Sequence, residues 1–171
     1  MTASSSSSAL NLRIATPADA ALLARAAERM FRDAFGASND AAQMDAYCAS
    51  NFGEEIQRAE LADPEIRVLL LETEDGGLAA YAQLRLRPPE SELWRFYVDR
   101  AQHGQGVAQT LMEQCLATAR DAGANRIVLA VWEHNPRAIA FYRKCGFAVS
   151  GARPFVLGTE VQTDLVMARA V

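Results

Sequence analysis

One stretch restricts this chain more than any other: Phe96-Tyr97-Val98-Asp99-Arg100-Ala101-Gln102-His103-Gly104-Gln105-Gly106-Val107-Ala108. An apolar run gives way to a short loop with two glycines, and then to the start of an amphipathic helix. Glycines at such a crossing let the backbone approach a ligand and turn consecutive N–H groups outward. Those donors lie at the positive end of the following helix and suit a phosphate or pyrophosphate. A plain strand-to-helix turn needing flexible residues would have the same local sequence.

The surrounding pattern alternates strand and helix. Leu10 to Ile14 reads as a short strand, Thr16-Pro17 with Asp19 as a helix start, and Ala20 to Phe35 as a helix with Leu22, Leu23, Ala26, Ala27, Met30 and Phe31 at helical spacing. Residues 40–62 continue helical, with a break near Asn51–Gly53. Arg67 to Glu72 is a strand, Asp75-Gly76-Gly77 a hairpin turn into Leu78–Arg87, and Pro88-Pro89 ends that strand. Leu93 to Val98, Asn125 to Trp132, Arg153–Leu157 and Asp164–Ala168 are the later strands. Helices are expected at Val107–Ala122 and at Ala138–Cys145, the second with Pro136 near its start and Gly146 as its stop. The expectation is a mixed α/β chain, with a disordered tail at residues 1–9 around the Ser4–Ser8 run and one domain over residues 10–171.

Composition sharpens this. Residues 1–92 hold 15 acidic and 8 basic side chains, residues 93–171 hold 6 and 9, and the whole chain has a net charge of −4. That balance disfavours nucleic acid as a partner. No apolar stretch is long enough for a membrane span, and Met1 to Ser8 lacks the pattern of a secretory signal. Cys48, Cys115 and Cys145 form no CxxC pair, and His103 and His134 are isolated, so neither a disulfide framework nor a metal centre is expected. A cytoplasmic protein fits these counts. Two phosphate loops fail to match: Val107-Ala108 stand where a P-loop needs Lys-Ser/Thr, and Gln109 stands where a dinucleotide fingerprint wants Gly or Ala.

A second segment, Asn135-Pro136-Arg137-Ala138-Ile139-Ala140-Phe141-Tyr142-Arg143-Lys144-Cys145-Gly146-Phe147, completes a pattern. Taken with His103-Gly104-Gln105-Gly106-Val107-Ala108, it resembles the GNAT superfamily of acyl-CoA-dependent N-acetyltransferases. Asn135, Ala138, Phe141, Tyr142, Gly146 and Phe147 stand at that family's positions. His103 departs from it, replacing the usual Gln or Arg. Phe31-Arg32-Asp33-Ala34-Phe35, Met44-Asp45-Ala46-Tyr47, Trp132-Glu133-His134-Asn135 and Gln162-Thr163-Asp164-Leu165 are similar to the bacterial spermidine/spermine N-acetyltransferases of the PaiA type.

The resemblance implies a central, mostly antiparallel twisted sheet flanked by helices and splayed at the acetyl-CoA-binding strands. It also implies direct acetyl transfer from acetyl-CoA to a primary amine of a small molecule, with a polyamine as first choice. A peptide N-terminus or lysine as acceptor, or an acetyl-CoA sensor without turnover, are the alternatives. Cofactor contacts are implied for Phe96, Tyr97, Val98, His103, Gly104, Gln105, Gly106, Val107, Ala108, Asn135, Ala138, Tyr142 and Lys144, with Arg137 and Arg143 as further phosphate candidates. Tyr142 is the implied acid for the leaving thiolate, although a Phe-Tyr pair on such a helix also reads as core. Glu92 is the candidate base, or else a strand-edge charge, with His134 as runner-up. Asp33, Asp40, Asp45, Glu54, Glu55 and Glu60 are the acids available to attract a polycation, or ordinary solvated helix faces. The sequence leaves the oligomeric state open.

Overall fold

A computed structural model describes residues 10–171; the tail expected at residues 1–9 lies outside the described residues. The chain opens with β1 (Asn11–Ile14), and a short 3-10 turn at Pro17–Asp19 leads into α1 (Ala20–Phe35). Asp19 holds this entry: its carboxylate accepts from the Thr16 N–H at 2.8 Å and from the Arg13 guanidinium at 2.7 and 2.9 Å. Next come α2 (Ala41–Asn51) and α3 (Glu54–Ala62), divided near Gly53 as the sequence suggests. Asp40 starts α2 by accepting from the N–H groups of Ala42 and Gln43, which satisfies donors that the first turn cannot.

The remaining elements are β2 (Ile66–Glu72), β3 (Leu78–Arg85), β4 (Glu90–Val98), α4 (Val107–Asp121), β5 (Arg126–Trp132), α5 (Pro136–Lys144), β6 (Ala148–Leu157) and β7 (Glu160–Ala170). The strands form one sheet in the order β1-β2-β3-β4-β5-β7-β6. Every neighbouring pair is antiparallel except β4 and β5. The run Val68-Leu69-Leu70-Leu71 is apolar throughout because both faces of β2 are covered. Leu69 and Leu71 face a core built with Leu111, Met112 and Cys115 of α4. Val68 and Leu70 face a second core with Leu23, Met30 and Phe31 of α1 and Met44 of α2.

Four strands differ from expectation by two residues or more. β4 begins at Glu90 and not at Leu93, because Ser91 and Glu92 pair with Ile127 and Val128. β3 stops at Arg85, before the two prolines. β6 and β7 are far longer than expected. Nearly every β6 residue before Leu157 is exposed, so this edge strand lacks the in/out alternation that reveals a half-buried one.

Two irregularities shape the centre of the sheet. Gln83 pairs with Arg95 and Leu84 with Leu93, so Trp94 is the extra residue of a β-bulge. Pairing between β4 and β5 ends at Leu93 and Leu129. Beyond that point β4 stays with β3 and β5 with β7, and the two strands part. The sheet is splayed where the sequence resemblance implies.

Candidate active site

The opening between β4 and β5 widens into a cleft of about 870 Å³ with two distinct ends. One is the β4–α4 loop. Gly104 and Gly106 adopt φ of +79° and +78°, a left-handed conformation that side-chain-bearing residues rarely take, and a Cβ at either would point into open space. The consequence lies in the donors. Among the described residues, the N–H groups of Gly104 to Gln109 have no backbone acceptor; the first helical bond is from Thr110 N to Gly106 O at 3.1 Å. These donors sit at the N-terminus of α4, whose dipole favours negative charge. The loop therefore fits a pyrophosphate.

The side chains of this loop turn back and brace it. The His103 Nε2 lies 3.1 Å from the Val98 carbonyl oxygen, and Gln105 Nε2 donates to Ala101 O at 3.0 Å. At its base, Asp99 accepts from Ala101 N at 2.9 Å and pairs with Arg29 of α1. Contact with an anion is thus left to the backbone. Gly104, Gly106, Val107 and Ala108 line the cleft with His103, whereas the Gln105 side chain does not.

Phe96, Tyr97 and Val98 line the parted edge of β4, and Ala130, Val131 and Trp132 that of β5. Those edges carry main-chain groups without a strand partner, suited to an extended ligand that pairs as a strand does. Over the wedge lies α5, started by Asn135, whose side chain accepts from Ala138 N at 3.1 Å. Asn135, Arg137, Ala138 and Lys144 line the cleft; Arg143 does not.

Tyr142 combines both expectations held for it. It is 9% exposed, and its ring packs 6.2 Å from Phe96 and 5.9 Å from Phe147, a core position. Its hydroxyl nevertheless opens to the cleft, with no hydrogen-bond partner among the described residues. Burial raises the phenol well above its ordinary pKa, with the nearby Cys115 and Cys145 thiols adding to the effect. The group is held protonated, as a donor. Cys145 is buried at 7% exposure, which fits packing.

Other candidates are placed differently. Glu92 does not line the cleft: one carboxylate oxygen is 3.2 Å from Arg85 and the other 3.1 Å from Arg153. Both oxygens are thus engaged by guanidinium groups, one on each. His134 is 71% exposed beside Glu133. Most of the acids in the first half are also committed. Asp40 caps α2, Asp45 pairs with Arg32, Glu54 and Glu55 pair with Arg58, and Glu60 binds Arg95. Of the six, only Asp33 lines the cleft, at its exposed rim.

The second end of the cleft contains what the sequence reading missed. Its walls are aromatic: Phe31 from α1, Tyr47 from α2, Phe52 from the turn after α2, Trp94 and Tyr97 from β4, and Phe155 from β6. Phe31 stacks on Tyr47 at 4.7 Å and Tyr47 meets Phe155 at 5.5 Å. Arg95, next to the bulge, supports one wall. Its guanidinium donates to Glu60 at 2.7 Å and to Gln83 at 3.0 Å, and lies over the Trp94 ring at 4.3 Å. Asp164 of β7 also opens into this chamber, although it is only 8% exposed.

The comparisons with known proteins agree with this geometry. Residues 26–147 match the Acetyltransferase (GNAT) family. The chain belongs to that family and is an acyltransferase. An uncharacterised N-acetyltransferase of Mycobacterium tuberculosis is 43% identical over 110 residues, which is 64% of this chain and 70% of that protein. An aminoglycoside N(6')-acetyltransferase of Stenotrophomonas maltophilia is 31% identical over 149 residues, covering 82% of this chain and 87% of the relative. Among solved structures, the PaiA N-acetyltransferase of Thermoplasma acidophilum, in complex with coenzyme A, superposes with a TM-score of 0.81 over 95% of this chain and 99% of its own, at 17% identity. At that identity the likeness shows the fold.

Proposed function

We propose that the protein transfers an acetyl group directly from acetyl-CoA to a primary amine of a small acceptor, with a polyamine or diamine as the preferred class. The observation that carries this reading is the wedge between β4 and β5. One cleft there joins a loop of unpaired N–H groups, Tyr142 and the aromatic chamber. Acetyl-CoA supplies the activated thioester.

Each residue then has a stated task. The N–H groups of Gly104 to Gln109 hold the pyrophosphate, with Arg137 and Lys144 nearby for further phosphate charge. The free main-chain edge of Phe96 to Val98 pairs with the pantetheine arm. Tyr142, kept protonated by burial, donates its proton or a hydrogen bond to the departing thiolate. The acceptor must attack as a neutral amine, and removing a proton from a lysine-like amine at pH 7 costs about 4–5 kcal/mol. Aromatic walls suit that step, because they do not fix the charged form at the reacting nitrogen as an adjacent carboxylate would.

Tyr142→Phe tests the assignment. The ring and its packing remain, so coenzyme dissociation constants stay within about twofold while kcat falls about 100-fold. Isothermal calorimetry and steady-state thiol release measure the two quantities. Equal loss in both would make Tyr142 a packing residue. The match of four sequence segments to the PaiA type supports a polyamine acceptor, and the aminoglycoside-modifying relative makes amino sugars the second acceptor class to assay.

A further inference from the structure

The aromatic chamber contains a carboxylate with nothing to bind. Asp164 is more than nine-tenths buried, yet it makes no hydrogen bond and no ion pair among the described residues. Its strand neighbours do not satisfy it. Trp132 stands opposite on β5, and Arg153 opposite on β6 directs its guanidinium to Glu92. Leu165 and Met167 pack into the core beneath α4 and α5, so strand alternation turns Asp164 to the other face, toward Tyr47 and Phe155. Burial holds the carboxyl above its ordinary range, partly offset by Arg153. Its oxygens are not sealed from the cleft, so a cationic ligand can reach and pair with this partnerless carboxylate.

We propose that Asp164 anchors a second ammonium group of the acceptor, so that the preferred acceptor is a diamine, or the diamine end of a longer polyamine. This deepens the acetyltransferase reading and rests on it. An aromatic box around a carboxylate suits an alkylammonium group, which gains from the ring faces as well as from the charge. The wedge closes at Leu129, and Asp164 lies opposite Trp132, three residues further along β5, so the anchor stands apart from the point where the strands meet.

The same residue separates binding from reaction. Asp164 holds the distal ammonium, and the attacking nitrogen, one linker length away, is left beside Tyr142 without a carboxylate to keep it charged.

The test compares 1,4-diaminobutane with butylamine on wild-type protein and Asp164→Asn. Wild type is expected to show a kcat/KM for the diamine about 10- to 100-fold above that for the monoamine. In the variant this preference collapses to within about threefold, because the diamine loses far more than the monoamine. Equal turnover of both amines by wild type, or a parallel loss for both in the variant, would overturn the anchor. Calorimetric titration of 1,4-diaminobutane into the CoA-loaded protein reads the site without turnover. Binding lost in Asp164→Asn supports the anchor even if no acetyl group moves, in which case the transferase reading fails alone; no binding by wild type overturns the anchor. Folding gives an independent readout. The folded state raises this carboxyl's pKa, so its ionisation costs stability once the pH exceeds the ordinary carboxylate range. Asp164→Asn is expected to raise Tm at pH 7, with the gain vanishing as the pH falls below the ordinary carboxylate range. A lower Tm at pH 7 would mark Asp164 as structural.

Discussion

Gly106→Val is expected to weaken coenzyme A binding by more than about 100-fold and leave a folded protein. Two effects act together. A β-branched residue at φ +78° is strained by about 1–2 kcal/mol, so the loop relaxes away from the conformation that turns its N–H groups outward. Any side chain that does keep this conformation projects its Cβ into the open space that the loop presents to a ligand. Gly106 precedes α4 and a Cβ there meets no atom within 4 Å, so the cost stays local and Tm falls by only a few degrees. Calorimetry with coenzyme A and a thermal melt separate the two quantities. Coenzyme affinity within threefold of wild type would remove the loop from the binding site.

The second large effect concerns stability. Glu60→Ala leaves Arg95 buried without its anion, since the pair is 7% and 14% exposed at its two side chains. Breaking a buried pair on one side costs about 3–5 kcal/mol, which here lowers Tm by about 10 °C or more. Gln83 and the Asn51 carbonyl oxygen cannot replace the lost charge, although both remain within reach of the guanidinium. Exposed pairs such as Arg58 with Glu54 and Glu55 cost less than about 1 kcal/mol when broken. A thermal melt of Glu60→Ala showing a loss no greater than that of Glu54→Ala would contradict the structural role of Arg95. Replacing both residues together, as Glu60→Leu with Arg95→Met, is expected to recover most of the loss, because no unpaired charge then remains.

The parts of the molecule legible in the sequence are those fixed by local physics. Helical spacing marks α1, Asp40 and Gly53 bound α2 and α3, and the unbroken apolar run of β2 reflects a strand covered on both faces. The glycine loop is legible as a strand-to-helix turn that needs flexible residues, and only the second segment, Asn135 to Phe147, points from that turn to a ligand. Tyr142 is different, because its residue type is compatible with core packing, and only the pattern from Asn135 to Phe147 points to the role proposed for it. Arg95 could not be read, since residues 60, 83 and 95 meet only through the bulge at Trp94. Nor could Asp164, whose significance lies in the partners it lacks. Glu92 illustrates the converse. Its position in the chain suggests a base, while Arg85 and Arg153, brought in from β3 and β6, occupy both of its oxygens. Local periodicity carries no information about such long-range partners.

The central claim is that this chain moves an acetyl group from acetyl-CoA to an amine within the wedge between β4 and β5. Its most direct test is one incubation of the purified protein with acetyl-CoA and 1,4-diaminobutane, following free thiol and acylated amine together. The account predicts thiol and monoacetylated diamine formed in equal amounts, with no thiol release when the amine is omitted. Thiol release that is independent of amine, or tight coenzyme binding without acetylation of diamines, polyamines, amino sugars or peptides, would contradict it.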